Sequence, residues 1–124
     1  MATSSATFHE AEDRLSPATR EMHRAIVSLM EELEAIDWYQ QRVDATGDDG
    51  LRAILAHNRD EEIEHAVMTL EWIRRHNPTF DATLRQYLFT EGSITAREDG
   101  VTAGKEADGA RGARASVGSL RGGR

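Results

Sequence analysis

The chain has 124 residues, 30 % of them charged and 39 % hydrophobic, with a formal net charge of −7 and no cysteine. One domain fits this length. The acidic balance disfavours a nucleic-acid partner, which needs clustered positive charge. The missing cysteines exclude disulfides, thiolate metal sites and thiol catalysis. No apolar run reaches a membrane span or looks like a signal-peptide core, so no membrane association and a cytoplasmic location are expected.

In chain order, residues 1–15 are rich in Ala, Ser and Thr and read as a flexible leader. Ser16-Pro17 is a helix start, because Ser caps and Pro suits the first helical position. Met22, Ile26, Leu29, Leu33 and Ile36 then recur at helical spacing. Residues 44–50 are a loop by composition. Leu55, Ile63, Ala66, Leu70 and Ile73 form a second stripe, and Asn77-Pro78 ends it. Phe80, Leu84, Tyr87 and Leu88 predict a short third helix closed by Gly92. Residues 93–124 hold most of the glycines, no aromatic residue and a slight basic excess, and read as a disordered tail. The expected fold is all-α: an antiparallel two-helix hairpin plus a short third helix over 16–92. Two long helices cannot enclose a core, because each stripe needs covering on more than one side. The expectation, before any motif is weighed, is therefore a homo-oligomer.

The second helix carries Glu62-x-x-His65, the spacing by which one helix offers a carboxylate and an imidazole to one metal centre. By itself that motif equally describes a solvated charged face. Position favours the metal. Glu32 lies 15 residues before Gly47 and Glu62 lies 15 after it. A hairpin turning at Gly47 sets both carboxylates at one height. A Glu and a Glu-x-x-His make half of a di-iron carboxylate site, and two hairpins about a two-fold axis supply the whole. On the opposite face of the first helix, Val27, Glu31, Glu34 and Trp38 project together. A Trp beside carboxylates suggests a second protein contact, with a half-buried surface Trp the alternative. On the second helix, His57, Glu61 and Glu64 share a back face, whose spacing allows a surface metal site or a solvated face. Tyr39 falls on the Glu32 side, where it either bonds near the site or packs. His9, His23 and His76 carry no assigned role.

The segments MEELEAIDWY (30–39), LAHNRDEEIEHA (55–66) and YLFTEG (87–92) resemble the encapsulated ferritins, the ferroxidase cargo of encapsulin nanocompartments. The tail residues Ser116, Val117, Gly118, Ser119, Leu120, Arg121 and Gly122 resemble the short peptide that docks such cargo in its shell. The resemblance implies a ferritin-like four-helix bundle completed by dimerisation, assembled as an annular decamer of five dimers. It also implies ferroxidase activity, in which two Fe(II) per dimer are oxidised by dioxygen at a site shared by two chains. It assigns Glu32, Glu62 and His65 to the di-iron centre, which is also the catalytic site. Glu31, Glu34 and Trp38 fall at a site where metal enters, His57, Glu61 and Glu64 at an outer site, and Tyr39 beside the centre. Ca, Mn or Zn could stand in for iron or occupy the secondary sites, since ligand type alone does not select among them. Two other classes fit the residues: a non-catalytic, metal-dependent helical adaptor, and a helical cargo protein whose acidic faces are only solvated.

Overall fold

A computed structural model of the chain describes residues 6–98. Every regular element among them is helical: a 3-10 turn at Glu12–Arg14, α1 at Pro17–Ala45, α2 at Asp49–Arg75 and α3 at Pro78–Tyr87. The expected all-α fold, a long hairpin with a short third helix, is what the chain forms. It divides into two compact units at His76/Asn77.

In the first unit, α1 and α2 have 29 and 27 residues, or about 40 Å each at ~1.5 Å per residue. Ser16 caps α1 by accepting from the Thr19 N–H at 3.0 Å, and Pro17 occupies the first turn as expected. The helices run antiparallel, with contacts stepping away from the turn. Arg52 donates to the Val43 carbonyl at 3.3 Å, Arg59 to Gln40 at 2.7 Å, and His65 faces Glu32 at 3.7 Å.

The connection is shorter than its composition suggests. Only Thr46, Gly47 and Asp48 lie outside the helices, against the expected loop of 44–50. The difference is capping. Asp48 accepts from the Leu51 N–H at 2.7 Å and starts α2. Asp49 and Gly50 therefore fall in the first turn, where an acidic side chain meets the positive end of the helix dipole. Arg52 also donates to the Thr46 carbonyl. Its guanidinium so satisfies carbonyls left open at the C-terminal end of α1.

Within the segment read as leader, the Ala6 carbonyl accepts from His23 Nε2 at 2.9 Å. The Phe8 and His23 rings lie 4.5 Å apart, centroid to centroid.

In the second unit, Asn77 caps α3 by accepting from the Phe80 N–H at 2.9 Å, and Pro78 follows it. The expected closure at Gly92 comes earlier. Leu88 is the C-cap, and Phe89 takes the left-handed conformation, φ 60°, that usually falls to glycine just beyond a helix. Gly92 has a positive φ too, in the turn that follows. Buried Gln86 donates to the Arg97 carbonyl at 3.3 Å, and Ser93 accepts from the Ala96 N–H at 3.3 Å. The Arg97 and Glu98 N–H groups donate to the Ile94 and Thr95 carbonyls at 3.1 and 3.2 Å, which makes one more turn over residues 94–98.

Burial is sparse. Among the described residues only Ala66 and Ile73 are buried apolar side chains. Leu33, Ile63 and Val67 stay 54 %, 43 % and 59 % exposed. Two cylinders touch along a line, so each apolar stripe is covered on one flank only. No helix among the described residues is long and apolar enough to cross a membrane.

The cap at Asp48 carries the turn. Asp48→Ala should cost about 1 kcal/mol of stability, read as a lower urea midpoint at an unchanged m-value. Asp48→Asn keeps an acceptor oxygen and should lose only a fraction of that.

Candidate metal centre

Glu32 comes from the middle of α1, and Glu62 and His65 come from the middle of α2. Because the hairpin turns at 46–48 with helices of nearly equal length on either side, these positions meet across the interface. One ligand atom from each of the three lies within 4.8 Å of the others. No other group of three His, Asp or Glu side chains among the described residues comes together this way. His65 Nδ1 stands 3.7 Å from Glu32 Oε1 and 3.6 Å from Glu62 Oε1. The two carboxylates are each 25 % exposed, so water screens their mutual repulsion only in part.

The Glu32 carboxyl is held above its ordinary range. A hydrogen bond shared with Glu62 is the largest cause, followed by burial and by the Glu62 charge; His65 acts in the opposite direction. Two carboxylates this close favour keeping one proton between them. A dication removes the need for that proton. The donors are anionic oxygens and one imidazole, a set suited to Fe, Mn or Zn ions. Three donors leave a metal short of its usual coordination number.

The other sequence candidates are arranged differently. Glu31 and Trp38 are exposed and Glu34 half-buried on α1; within one chain they do not join a three-ligand group. His57 Nε2 lies 3.7 Å from Glu61 Oε2, but Glu64 is not drawn into that pair. Tyr39 lies under the Arg42 guanidinium, 5.5 Å from ring centroid to carbon. Residues 116–122 lie outside the described residues.

Two features escaped the sequence reading. Glu61, placed there on the back face, also approaches the centre: its Oε1 lies 4.0 Å from His65 Nε2. The signal was present, since 61 and 65 are one turn apart. Arg59 ties the helices together beside the centre, donating to Gln40 on α1 and pairing with Asp60 at 3.0 Å. Nothing in the pattern of an Arg and a Gln 19 residues apart announces such a clamp.

The comparisons with known proteins bear on this geometry. The EncFtn-like family model matches residues 7–91. This chain belongs to the EncFtn-like family. It is 57 % identical over 130 aligned residues to an "Encapsulated ferritin-like protein" of Rhodospirillum rubrum, covering 98 % of this chain and 93 % of that protein. An "Encapsulin nanocompartment cargo protein EncC" of Myxococcus xanthus is 36 % identical, over 92 % of this chain and 95 % of its own length. A crystal structure of a Nitrosomonas europaea protein superposes with a TM-score of 0.68 at 62 % identity, covering 70 % of this chain and 96 % of that one. The resemblance drawn from the helical segments is thereby borne out at the level of the family. In this EncFtn-like chain the Glu–Glu–His group is one that could hold a metal ion.

The raised Glu32 carboxyl makes a prediction for this EncFtn-like chain without metal. The folded state binds that proton more tightly than the unfolded state. The stability linked to it is present below the ordinary carboxylate pKa of 4.5 and is lost as pH rises through the folded value. Glu32→Gln removes the repelling charge. In strong chelator the variant should melt higher than the parent, by a wider margin at pH 7 than at pH 4, by circular dichroism. An equal margin at both pH values would contradict the repulsion.

Proposed function

We propose that this chain is a ferroxidase whose substrate, Fe(II), is oxidised by dioxygen at a di-iron site shared between two subunits, feeding iron storage inside an encapsulin shell. The convergence of Glu32, Glu62 and His65 carries the reading. In one chain these supply two carboxylates and one imidazole, half of the four-Glu, two-His set of ferritin-like di-iron centres. A second hairpin across a two-fold axis would contribute the same three residues. The exposed Leu33 and Ile63, each the sequence neighbour of a ligand, are the surface such a partner would cover.

In this reading the glutamates bind Fe(II) as a hard dication and hold Fe(III) more strongly still, so the ligand set favours the loss of one electron by each iron. Dioxygen accepts those electrons and takes up protons from water. Metal binding needs both carboxylates deprotonated, so the raised Glu32 carboxyl makes loading depend on pH. Glu31, Glu34 and Trp38 are proposed as the approach for metal, and His57, Glu61 and Glu64 as an outer site. Tyr39 is proposed beside the centre. An annular decamer is the assembly the family resemblance implies.

Encapsulation follows from the relatives' names and from the tail. Val117 and Leu120 are the apolar residues of the peptide at 116–122, and Arg121 can pair with a carboxylate on a groove's rim. Many tails on one ring would bind by avidity, so each need bind only weakly. The proposed location is thus the lumen of an encapsulin nanocompartment in the cytoplasm.

Anaerobic Fe(II) titration should saturate near one tight iron per chain, and air should then be consumed with formation of Fe(III). Glu62→Ala or His65→Ala should abolish most of that oxygen uptake. Parent-rate oxidation by Glu62→Ala would overturn the site. Truncation after Ala115 should leave oxidation intact while the protein no longer co-purifies with a co-expressed encapsulin; retention at the parent level would remove the tail from the proposal.

A further inference from the structure

His65 lies between two glutamates on α2. At ~100° per residue, Glu61 is one turn before it on one side and Glu62 sits on the other. The imidazole divides its two nitrogens accordingly. Nδ1 faces Glu32 and Glu62, at 3.7 and 3.6 Å, while Nε2 faces Glu61 at 4.0 Å. Glu61 in turn stands between two imidazoles, with its other oxygen 3.7 Å from His57 Nε2. We infer that Glu61 is a positioning residue for His65, accepting the Nε2–H of the ring whose Nδ1 is aimed at the metal ligands.

The inference rests on the reading of Glu32, Glu62 and His65 as metal ligands. An imidazole that ligates through one nitrogen carries its proton on the other. Metal-binding histidines nearly always give that proton to a carboxylate, carbonyl or water, which fixes the tautomer and the ring plane. Around His65 the carboxylate in that position is Glu61. Closing 4.0 Å to hydrogen-bond length needs only a turn about the torsions of a side chain that is 48 % exposed. No backbone movement is required. The two oxygens of Glu61 let it hold His65 while His57, 70 % exposed, pairs with the other. Glu61 therefore serves the centre through one oxygen and leaves the other to His57 and the proposed outer site.

Zn(II), a diamagnetic probe, separates the two roles. Full-length parent and the variants Glu61→Ala, Glu61→Gln and Glu71→Ala are titrated with Zn(II) against a competing chelator. Solid-state 15N spectra are then taken of Zn(II)-loaded, 15N-histidine protein, with His65 assigned by its loss in His65→Gln. Glu61→Ala should weaken the tight site by roughly 10- to 100-fold. Glu61→Gln, which keeps an acceptor oxygen, should restore most of that. Glu71→Ala, which removes an α2 carboxylate paired with Arg74 and Arg75, should bind as the parent does. His65 should show a metallated Nδ1 and a hydrogen-bonded Nε2–H, with the Nε2–H resonance shifting in Glu61→Ala alone. Equal weakening in Glu61→Ala and Glu71→Ala, an unshifted Nε2 in Glu61→Ala, or metallation at Nε2 would each overturn the assignment. A protein that passes these tests yet leaves Fe(II) unoxidised would overturn the ferroxidase reading and leave the role of Glu61 standing.

Discussion

Two carboxylates and an imidazole, brought from opposite helices to one height, set the terms for this protein. Each of the Glu32 and Glu62 carboxylates raises the cost of the other's charge, and the Glu32 carboxyl is held above its ordinary range. The fold places them there through its register. Rotating either helix by one residue, ~100°, would carry its ligand off the shared face. What holds the register is small and local: the Asp48 cap, the Arg52 guanidinium on the end of α1, and Arg59 reaching Gln40 beside the centre. A three-residue turn leaves little freedom for the helices to slide. The turn and the centre are in this sense one construction, although about 15 residues of helix separate them.

The second constraint is incomplete burial. A hairpin with two buried apolar side chains among its described residues has little hydrophobic stabilisation of its own. Leu33 adjoins Glu32, and Ile63 adjoins Glu62, so the uncovered apolar surface runs alongside the ligands. A surface that buries the one therefore encloses the other. This is the physical link between the assembly proposed for this EncFtn-like chain and its proposed chemistry: in that proposal one partner would complete both the core and the ligand set. The same link bears on the positioning role inferred for Glu61, since a site with few protein donors gains most from having each one held in the correct orientation.

Much of this was legible in the residues. Ser16-Pro17, Asn77-Pro78 and the two apolar stripes mark the helices because capping and 3.6-residue periodicity are local properties. The meeting of Glu32 with Glu62 and His65 could be read as well, because a tight turn between two unbroken helices makes height a matter of counting from Gly47. The loop was overestimated because composition cannot tell a turn residue from a first-turn residue; Asp49 and Gly50 look alike in both settings. Phe89 was unexpected because a left-handed residue after a helix usually reveals itself as glycine, and here the chain uses an aromatic one.

By itself, then, the sequence determined the helices, their antiparallel pairing and which residues face each other at one height, all of which follow from spacing along one chain; the family showed itself through the resemblance of whole segments. Only the tertiary structure decided which nitrogen of His65 faces the carboxylates, that Glu61 divides itself between His57 and His65, and that Arg52 and Arg59 lock the register. Those outcomes depend on side-chain torsions and on groups distant in sequence. Helical periodicity says which face a residue occupies; it does not say which atom of that residue is turned toward its neighbour.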